Sequence, residues 1–238
     1  MERHSASVNQ GQQVMTTRQK VEAITFDVGG TLIKPWPSVG HVYAKVAAEN
    51  GLKNLSPEIL NRQFGAAWKG LESFNHGREE WAALVDKTFA GTGTEPPSQT
   101  FFPQLYDRFS EPEVWHVFED VVPALEVLAS HRVKLGIISN WDERLIPLLR
   151  RLKLDTYFEA IVVSCNVGFP KPSSIIFEHA ARKLGVAPER ILHVGDSLDH
   201  DIKGATTAGF QTRLIDRNRE SEPSTRIKFL HELEVEVA

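Results

Sequence analysis

Cysteine is almost missing from this chain. Cys165 is the only one in 238 residues, which excludes an intrachain disulfide and a cysteine-based zinc cluster. Positive charge is not in excess either. Lys and Arg number 27 against 31 Asp and Glu, a formal net charge of -4, and no Lys/Arg-rich run stands out. That balance argues against a nucleic-acid partner and against a membrane surface. No apolar run is long enough to span a bilayer. Residues 1–20 are polar and rich in Gln, Ser and Thr, and they lack the apolar stretch of a secretory signal. They read as a flexible N-terminal arm. These absences together predict a cytoplasmic protein. Neither repeats nor low-complexity stretches follow the arm. The length suits one domain, or a core with a smaller domain inserted in it.

What is present is a set of short, β-branched apolar runs at 21–28, 133–139, 159–163, 190–195 and 211–215, each bounded by turn residues. These read as buried strands. Helical patterns lie between them. One runs from Val121 to His131, and another from Asp142 to Leu152 with Pro147 expected to kink its first half. A third runs from Ser173, as N-cap, to Leu184, with Gly185 as its stop. A short fourth covers Asp201 to Ala208. Strands alternating with helices predict an α/β fold built on a parallel, doubly wound sheet.

From about Ser38 to His116 that rhythm breaks. Helical patterns cover Val39–Asn50, the stretch opened by Ser56-Pro57, Arg78–Phe89 and Ser98–Phe109, and no strand pattern is evident. The predicted organisation is therefore an arm over 1–20, a core from 21–37 and 117–238, and an all-helical insertion over 38–116.

The richest stretch is Ala23-Ile24-Thr25-Phe26-Asp27-Val28-Gly29-Gly30-Thr31-Leu32. An apolar run ends on an acid, and two glycines and a threonine follow. Two designs fit such a run. One is a glycine turn that cradles ATP phosphates between two antiparallel strands, as in sugar kinases. Here Pro35 and Pro37 close off the second strand, and no second glycine-rich phosphate loop occurs. The other design makes Asp27 a nucleophile, and its further parts appear in order. Ser139-Asn140 ends one predicted strand, Lys171 lies in Phe169-Pro170-Lys171-Pro172, and Gly195-Asp196 with Asp201 follows another strand. A parallel sheet gathers such strand ends on one rim, where ligands bind.

Asp27-x-Gly29-x-Thr31, Ser139, Lys171 and Gly195-Asp196 with Asp201 together resemble the haloacid dehalogenase superfamily, in the subgroup with a helical cap after the first motif. The resemblance runs from about Val21 to the C-terminus. It implies a Rossmann-like core, a small phosphorylated substrate and Mg²⁺. It also implies catalytic roles for Asp27, Ser139 and Lys171, with metal ligation by Asp27, the carbonyl of Gly29 and Asp196, Asp201 standing beside them. Thr31 and Asn140 would contact substrate. Trp36 and His41, the cap residues nearest the first motif, are the candidates for the specificity surface.

One position departs from the pattern. The family's phosphatases carry a second Asp where this chain has Gly29, and that Asp moves the proton in both chemical steps. Such help is typically worth about 10²–10⁴ in rate. An alkoxide leaving group needs it; a phenolate, an acyl phosphate or a halide needs it much less. The expected function is thus a Mg²⁺-dependent phosphohydrolase with weak acid catalysis. The alternatives are a weakened relative that binds or regulates, and a metal-free 2-haloacid dehalogenase. Asp196 and Asp201 weigh against the last, because without a cation they would raise the pKa of the nucleophile.

Overall fold

The computed structural model describes residues 20–71, 74–218 and 226–233. Apart from Lys20, the expected N-terminal arm lies outside the described residues. β1 (Ala23–Phe26) leads through a tight turn to β2 (Ile33–Pro35). Four helices follow: α1 (Val39–Glu49), α2 (Pro57–Lys69), α3 (Arg78–Phe89) and α4 (Phe102–Arg108). β3 (Trp115–Val117) returns antiparallel to β2. The alternating part then runs α5 (Val121–Ser130), β4 (Lys134–Ser139), α6 (Leu145–Arg151), β5 (Ala160–Val163), α7 (Ser164–Val167) and α8 (Ser174–Leu184). It ends with β6 (Ile191–Gly195), α9 (Gly204–Thr207), β7 (Gln211–Ile215) and β8 (Arg226–Ile227).

Six strands form one sheet in the order β5-β4-β1-β6-β7-β8, and every neighbouring pair is parallel. The sheet is covered on both faces, which is why its strands read as unbroken apolar runs. Alternate residues serve opposite faces. Ile24, Phe26, Leu135, Ile137, Leu192 and Val194 pack with α5 and α6. Ala23, Ile138 and Ile191 pack with α8 and α9 on the other side. The chain winds from β1 outward to β5, then crosses back to β6. That reversal beside β1 is where an α/β sheet opens a crevice at its carboxyl edge.

The helices between β2 and β3 have a core of their own, built on Tyr43, Val46, Leu60, Val85, Phe89 and Leu105. α2 starts as its sequence dictates. The Ser56 hydroxyl accepts the Ile59 N–H (3.2 Å), and Pro57 occupies the first turn, where no donor is needed.

Several expectations need correction. The stretch Asp142–Leu152 is helical only over Leu145–Arg151, so Pro147 falls in the first turn and kinks nothing. In place of a helix from Asp201, a wide π-type turn over Leu198–Lys203 precedes α9, and the Ile202 N–H reaches back five residues to the Ser197 carbonyl (3.1 Å). Ser98–Phe109 divides into a 3₁₀ turn at Pro97–Gln99 and α4. The β2–β3 ribbon and the two-residue β8 carry no sequence signal strong enough to read. Pro35 ends β2 but still belongs to it, since a two-stranded edge tolerates one missing donor.

Candidate active site

The rim is built by strand ends. Asp27 follows β1, Ser139 closes β4, Asp196 follows β6, and Lys171 comes from the loop before α8. All four line a single cavity together with Gly29, Asn140 and Asp201. In the turn after Asp27 the Val28 carbonyl accepts the N–H groups of Leu32 (2.9 Å) and Ile33 (3.0 Å), and the Gly30 N–H donates to the Ile33 carbonyl (2.8 Å). Gly30 in this turn has φ +80°, and a Cβ there would lie 2.2 Å from Asp196 Oδ2. Only glycine fits at that position. Gly195 is constrained likewise, because a Cβ on it would fall 2.2 Å from Asp201 Cγ.

Lys171 ties the acids together. Its Nζ donates to Asp27 Oδ1 (2.7 Å) and to Asp201 Oδ1 (2.5 Å), and all three residues are buried. Ser139 Oγ donates to the same Asp27 oxygen (3.1 Å). Asn140 clamps the Lys171 backbone from both sides, accepting its N–H (2.7 Å) and donating to its carbonyl (3.0 Å). That pair fixes where the lysine side chain sets out.

Electrostatics follow from this packing. Burial works against the Lys171 ammonium, but Asp201 and Asp27 outweigh it and hold the lysine above its ordinary range. Burial also pushes Asp201 upward, yet Lys171 and the hydrogen bond from His193 win and leave it ionised well below the usual carboxylate range. Asp27 is raised, because burial and the charge of Asp201 exceed what Lys171 returns. Asp196 opens onto the cavity but sits in a concave wall; burial, then Asp27 and Asp201, push it up to about 7.

Three carboxylates against one ammonium leave the rim short of positive charge. Asp27, Asp196 and Asp201 each offer an oxygen, and the three oxygens lie within 4.8 Å of one another. An all-oxygen donor set of this kind fits a hard cation such as Mg²⁺ rather than a zinc ion.

His193 was not foreseen. Its Nε2 lies 3.2 Å from Asp201 Oδ1 and its Nδ1 3.0 Å from Thr25 Oγ1, all buried. Asp201 can only accept, so Nε2 carries the proton and Nδ1 accepts from the Thr25 hydroxyl. Burial lowers the pKa of this ring and keeps it neutral at pH 7. His193→Leu should therefore strip a partner from both Asp201 and Thr25. We expect it to lower the unfolding free energy by about 1–3 kcal/mol, read by urea denaturation; an unchanged midpoint would show that the network contributes nothing.

The other expected contacts are placed elsewhere. Thr31 is fully buried away from the cavity; its carbonyl accepts from Arg217 (2.6 Å), and its hydroxyl finds no partner among the described residues. Trp36 is exposed and packs on His116, and His41 caps onto the Ser38 hydroxyl (2.9 Å); neither lines the cavity. Asp142, a conceivable proton donor in place of Gly29, is buried with both oxygens on Arg144 (2.8 and 2.5 Å).

The cavity wall opposite the rim is aromatic instead. Phe64, Trp68, Phe74 and Trp81 line it from the helical insertion, and Trp141 lines it beside Gly29. His76 belongs to the same wall, and burial lowers its pKa to about 4. The cavity is open to solvent on one side, with a volume of about 820 Å³.

An aspartate at the end of the central strand, a lysine joining it to a second acid and a third acid beyond the neighbouring strand define a strand-end carboxylate site on a parallel α/β sheet. A sequence model of the haloacid dehalogenase-like hydrolases matches residues 21–209, and the chain belongs to that family. It is 33% identical over 211 residues to haloacid dehalogenase-like hydrolase domain-containing protein 3 of Danio rerio, covering 84% of this chain and 87% of that protein. It is 39% identical over 223 residues to glyceraldehyde 3-phosphate phosphatase of Methanopyrus kandleri, covering 87% and 88%. Among solved structures, the magnesium-bound HAD-hydrolase YfnB of Bacillus subtilis superposes with a TM-score of 0.75 at 22% identity, covering 92% of this chain and 99% of that one. The last comparison speaks for the fold alone.

Proposed function

We propose that this chain is a Mg²⁺-dependent phosphohydrolase that passes the phosphoryl group of a small phosphorylated metabolite to Asp27 and then to water. One observation carries the reading: Lys171 Nζ meets both Asp27 and Asp201 on a rim where Asp196 offers a third oxygen close by. Phosphoryl transfer asks chiefly for positioning and charge neutralisation. The phosphatase named among the relatives supports the same substrate class. Cys165, exposed and without a disulfide, suits a cytoplasmic setting.

In this reading Asp27 attacks phosphorus, and the bond to the leaving oxygen breaks. Lys171 and Ser139 move their hydrogen bonds toward the phosphoryl oxygens, while Asn140 keeps Lys171 in line. Asp27, Asp196 and the Gly29 carbonyl would hold Mg²⁺ with Asp201 beside them, and the bound cation would offset the gathered negative charge. Water then cleaves the aspartyl-phosphate and restores Asp27. Gly29 has no carboxyl group to hand over a proton in either step, and Asp142 is held by Arg144, so turnover is slow for poor leaving groups.

Two measurements test this. Saturating Mg²⁺ should raise the melting temperature of the parent by about 5–10 °C, and Asp196→Asn should erase that shift. Phosphate release from p-nitrophenyl phosphate should stop in EDTA. Halide release from 2-chloropropionate in EDTA would overturn the proposal in favour of a metal-free dehalogenase. A broad phosphate-ester panel left intact would favour a binding or regulatory protein, the reading that Gly29 by itself recommends.

A further inference from the structure

The cavity changes character along its length. At the rim it is acidic and hydrogen-bonded. Toward the helical insertion it becomes a wall of rings: Trp68, Phe74 and Trp81 pack with centroids 4.8–5.9 Å apart, and Trp141 closes the side next to Gly29. The wall offers a polyhydroxy group Trp81 Nε1 and His76 Nδ1, both buried without a partner among the described residues, and few other free polar groups. Asn75 is occupied by Glu80, and Arg144 by Asp142 and the Tyr106 carbonyl. It offers no uncompensated charge to a second anionic group, since Arg144 and Lys171 are both paired with carboxylates and His76 is neutral at pH 7. A volume of about 820 Å³ also exceeds what a two- or three-carbon phosphate fills.

Gly29 supplies an independent argument. A Cβ on it would point at Trp141, with Cζ3 3.5 Å away. Gly29 contributes no carboxyl group on that side, and the neighbour there is an aromatic edge at ordinary contact distance. Without a carboxyl group at this position, a leaving group that departs readily as an anion is favoured. A phenol ionises near pH 10, as tyrosine does, whereas an alcohol is close to water at about 15.7.

We propose that the cavity takes the ring of an aryl phosphate monoester, seated on Trp81, Phe74 and Trp141 with its phosphate at Asp27. The inference rests on Asp27 as phosphoryl acceptor and narrows the substrate to that class. Asp27 forms a bond to phosphorus as the phosphorus–oxygen bond to the ring breaks, and the electron pair leaves on the phenolate oxygen. Water then attacks the phosphoryl group, its proton passes to the phenolate or to buffer, and Asp27 and inorganic phosphate are released.

The test is a set of initial rates in Mg²⁺ on 2-naphthyl, phenyl and n-propyl phosphate, with acetyl phosphate as a ringless substrate that needs no acid. Phenol and 2-naphthol are nearly equal in acidity, so their comparison isolates the cavity from leaving-group chemistry. We expect kcat/KM for 2-naphthyl phosphate to exceed that for phenyl phosphate at least about tenfold. Phenyl phosphate should in turn exceed n-propyl phosphate by about 10³-fold. Trp81→Ala should cut the naphthyl-to-acetyl ratio of kcat/KM about tenfold, and Phe74→Leu should cut it to a lesser degree. A naphthyl rate no better than phenyl, or propyl equal to phenyl, overturns the inference. Acetyl phosphate turnover beside either result leaves Asp27 as acceptor and removes only the aryl substrate. Failure of all four compounds removes both.

Discussion

Asp27→Asn will lower Mg²⁺-dependent phosphate release by about 10⁴–10⁶-fold, the scale of losing a covalent nucleophile. Acetyl phosphate should leave one phosphoryl group on residue 27 of the parent and none on the variant, as read by mass spectrometry. The variant should fold. Asn keeps the shape and an acceptor oxygen for Ser139 and Lys171, and Lys171 retains Asp201. Its stability has a definite sign as well. Burial raises the Asp27 carboxyl above its ordinary value, so the native state binds that proton more tightly than the unfolded chain does. Stability from this residue is then present at low pH and lost as pH rises through the folded pKa. A neutral amide removes that cost, and the metal-free variant should melt no lower than the parent at pH 7. Retained turnover in Asp27→Asn would end the nucleophile reading.

Gly29→Asp will move activity the other way. On an alkyl ester such as n-propyl phosphate we expect a rise of about 10²-fold, the lower end of what general acid–base help supplies. The backbone at Gly29 admits a Cβ. Its Cβ would meet only Trp141 at ordinary contact distance, and Gly29 is not among the glycines with positive φ. Gly30 next door would refuse any substitution, with Asp196 in the way. Aryl esters should gain less than alkyl esters, because a phenolate leaves unaided. In the parent the aspartyl-phosphate should outlast that of the variant, and acid quench at successive times measures both. A folded Gly29→Asp with no gain on n-propyl phosphate would show that the missing carboxylate is not what slows the chain.

The parallel sheet was legible because both its faces are covered. Continuous runs such as Ala23–Phe26 and Ile191–Gly195 need no partner to be read as strands. The rim residues Asp27, Ser139, Lys171, Asp196 and Asp201 were legible for a related reason: each stands at or beyond a strand end, and a parallel sheet brings such ends together. Trp36 and His41 were chosen for nearness to Asp27 along the chain. Pro35, Val39 and Tyr43 of the same segment do line the cavity, but Trp36 and His41 are exposed and do not, so the side of the chain matters as well as its position. The aromatic wall belongs to both settings, since Phe64 and Trp81 pack against the core of the helices and also line the cavity. Helical spacing marks Trp68 and Trp81 as apolar-facing, but it does not distinguish a helix's own core from a cavity. The crowding of Phe64, Trp68, Phe74 and Trp81 into one short region is the sequence signal that such a wall leaves. His193 gave no signal. A lone polar residue in an apolar strand acquires its meaning only when the turn after β6 brings Asp201 back beneath it.

The helical insertion leaves and rejoins the sheet through two strands that lie side by side, Ile33–Pro35 against Trp115–Val117. Its ends therefore meet as the two feet of a handle, and a different assembly with equally close ends would attach at the same place without disturbing the register of β1. In such a design the rim acids and the aromatic wall stand on separately attached parts, the blade on the sheet and most of the wall on the handle.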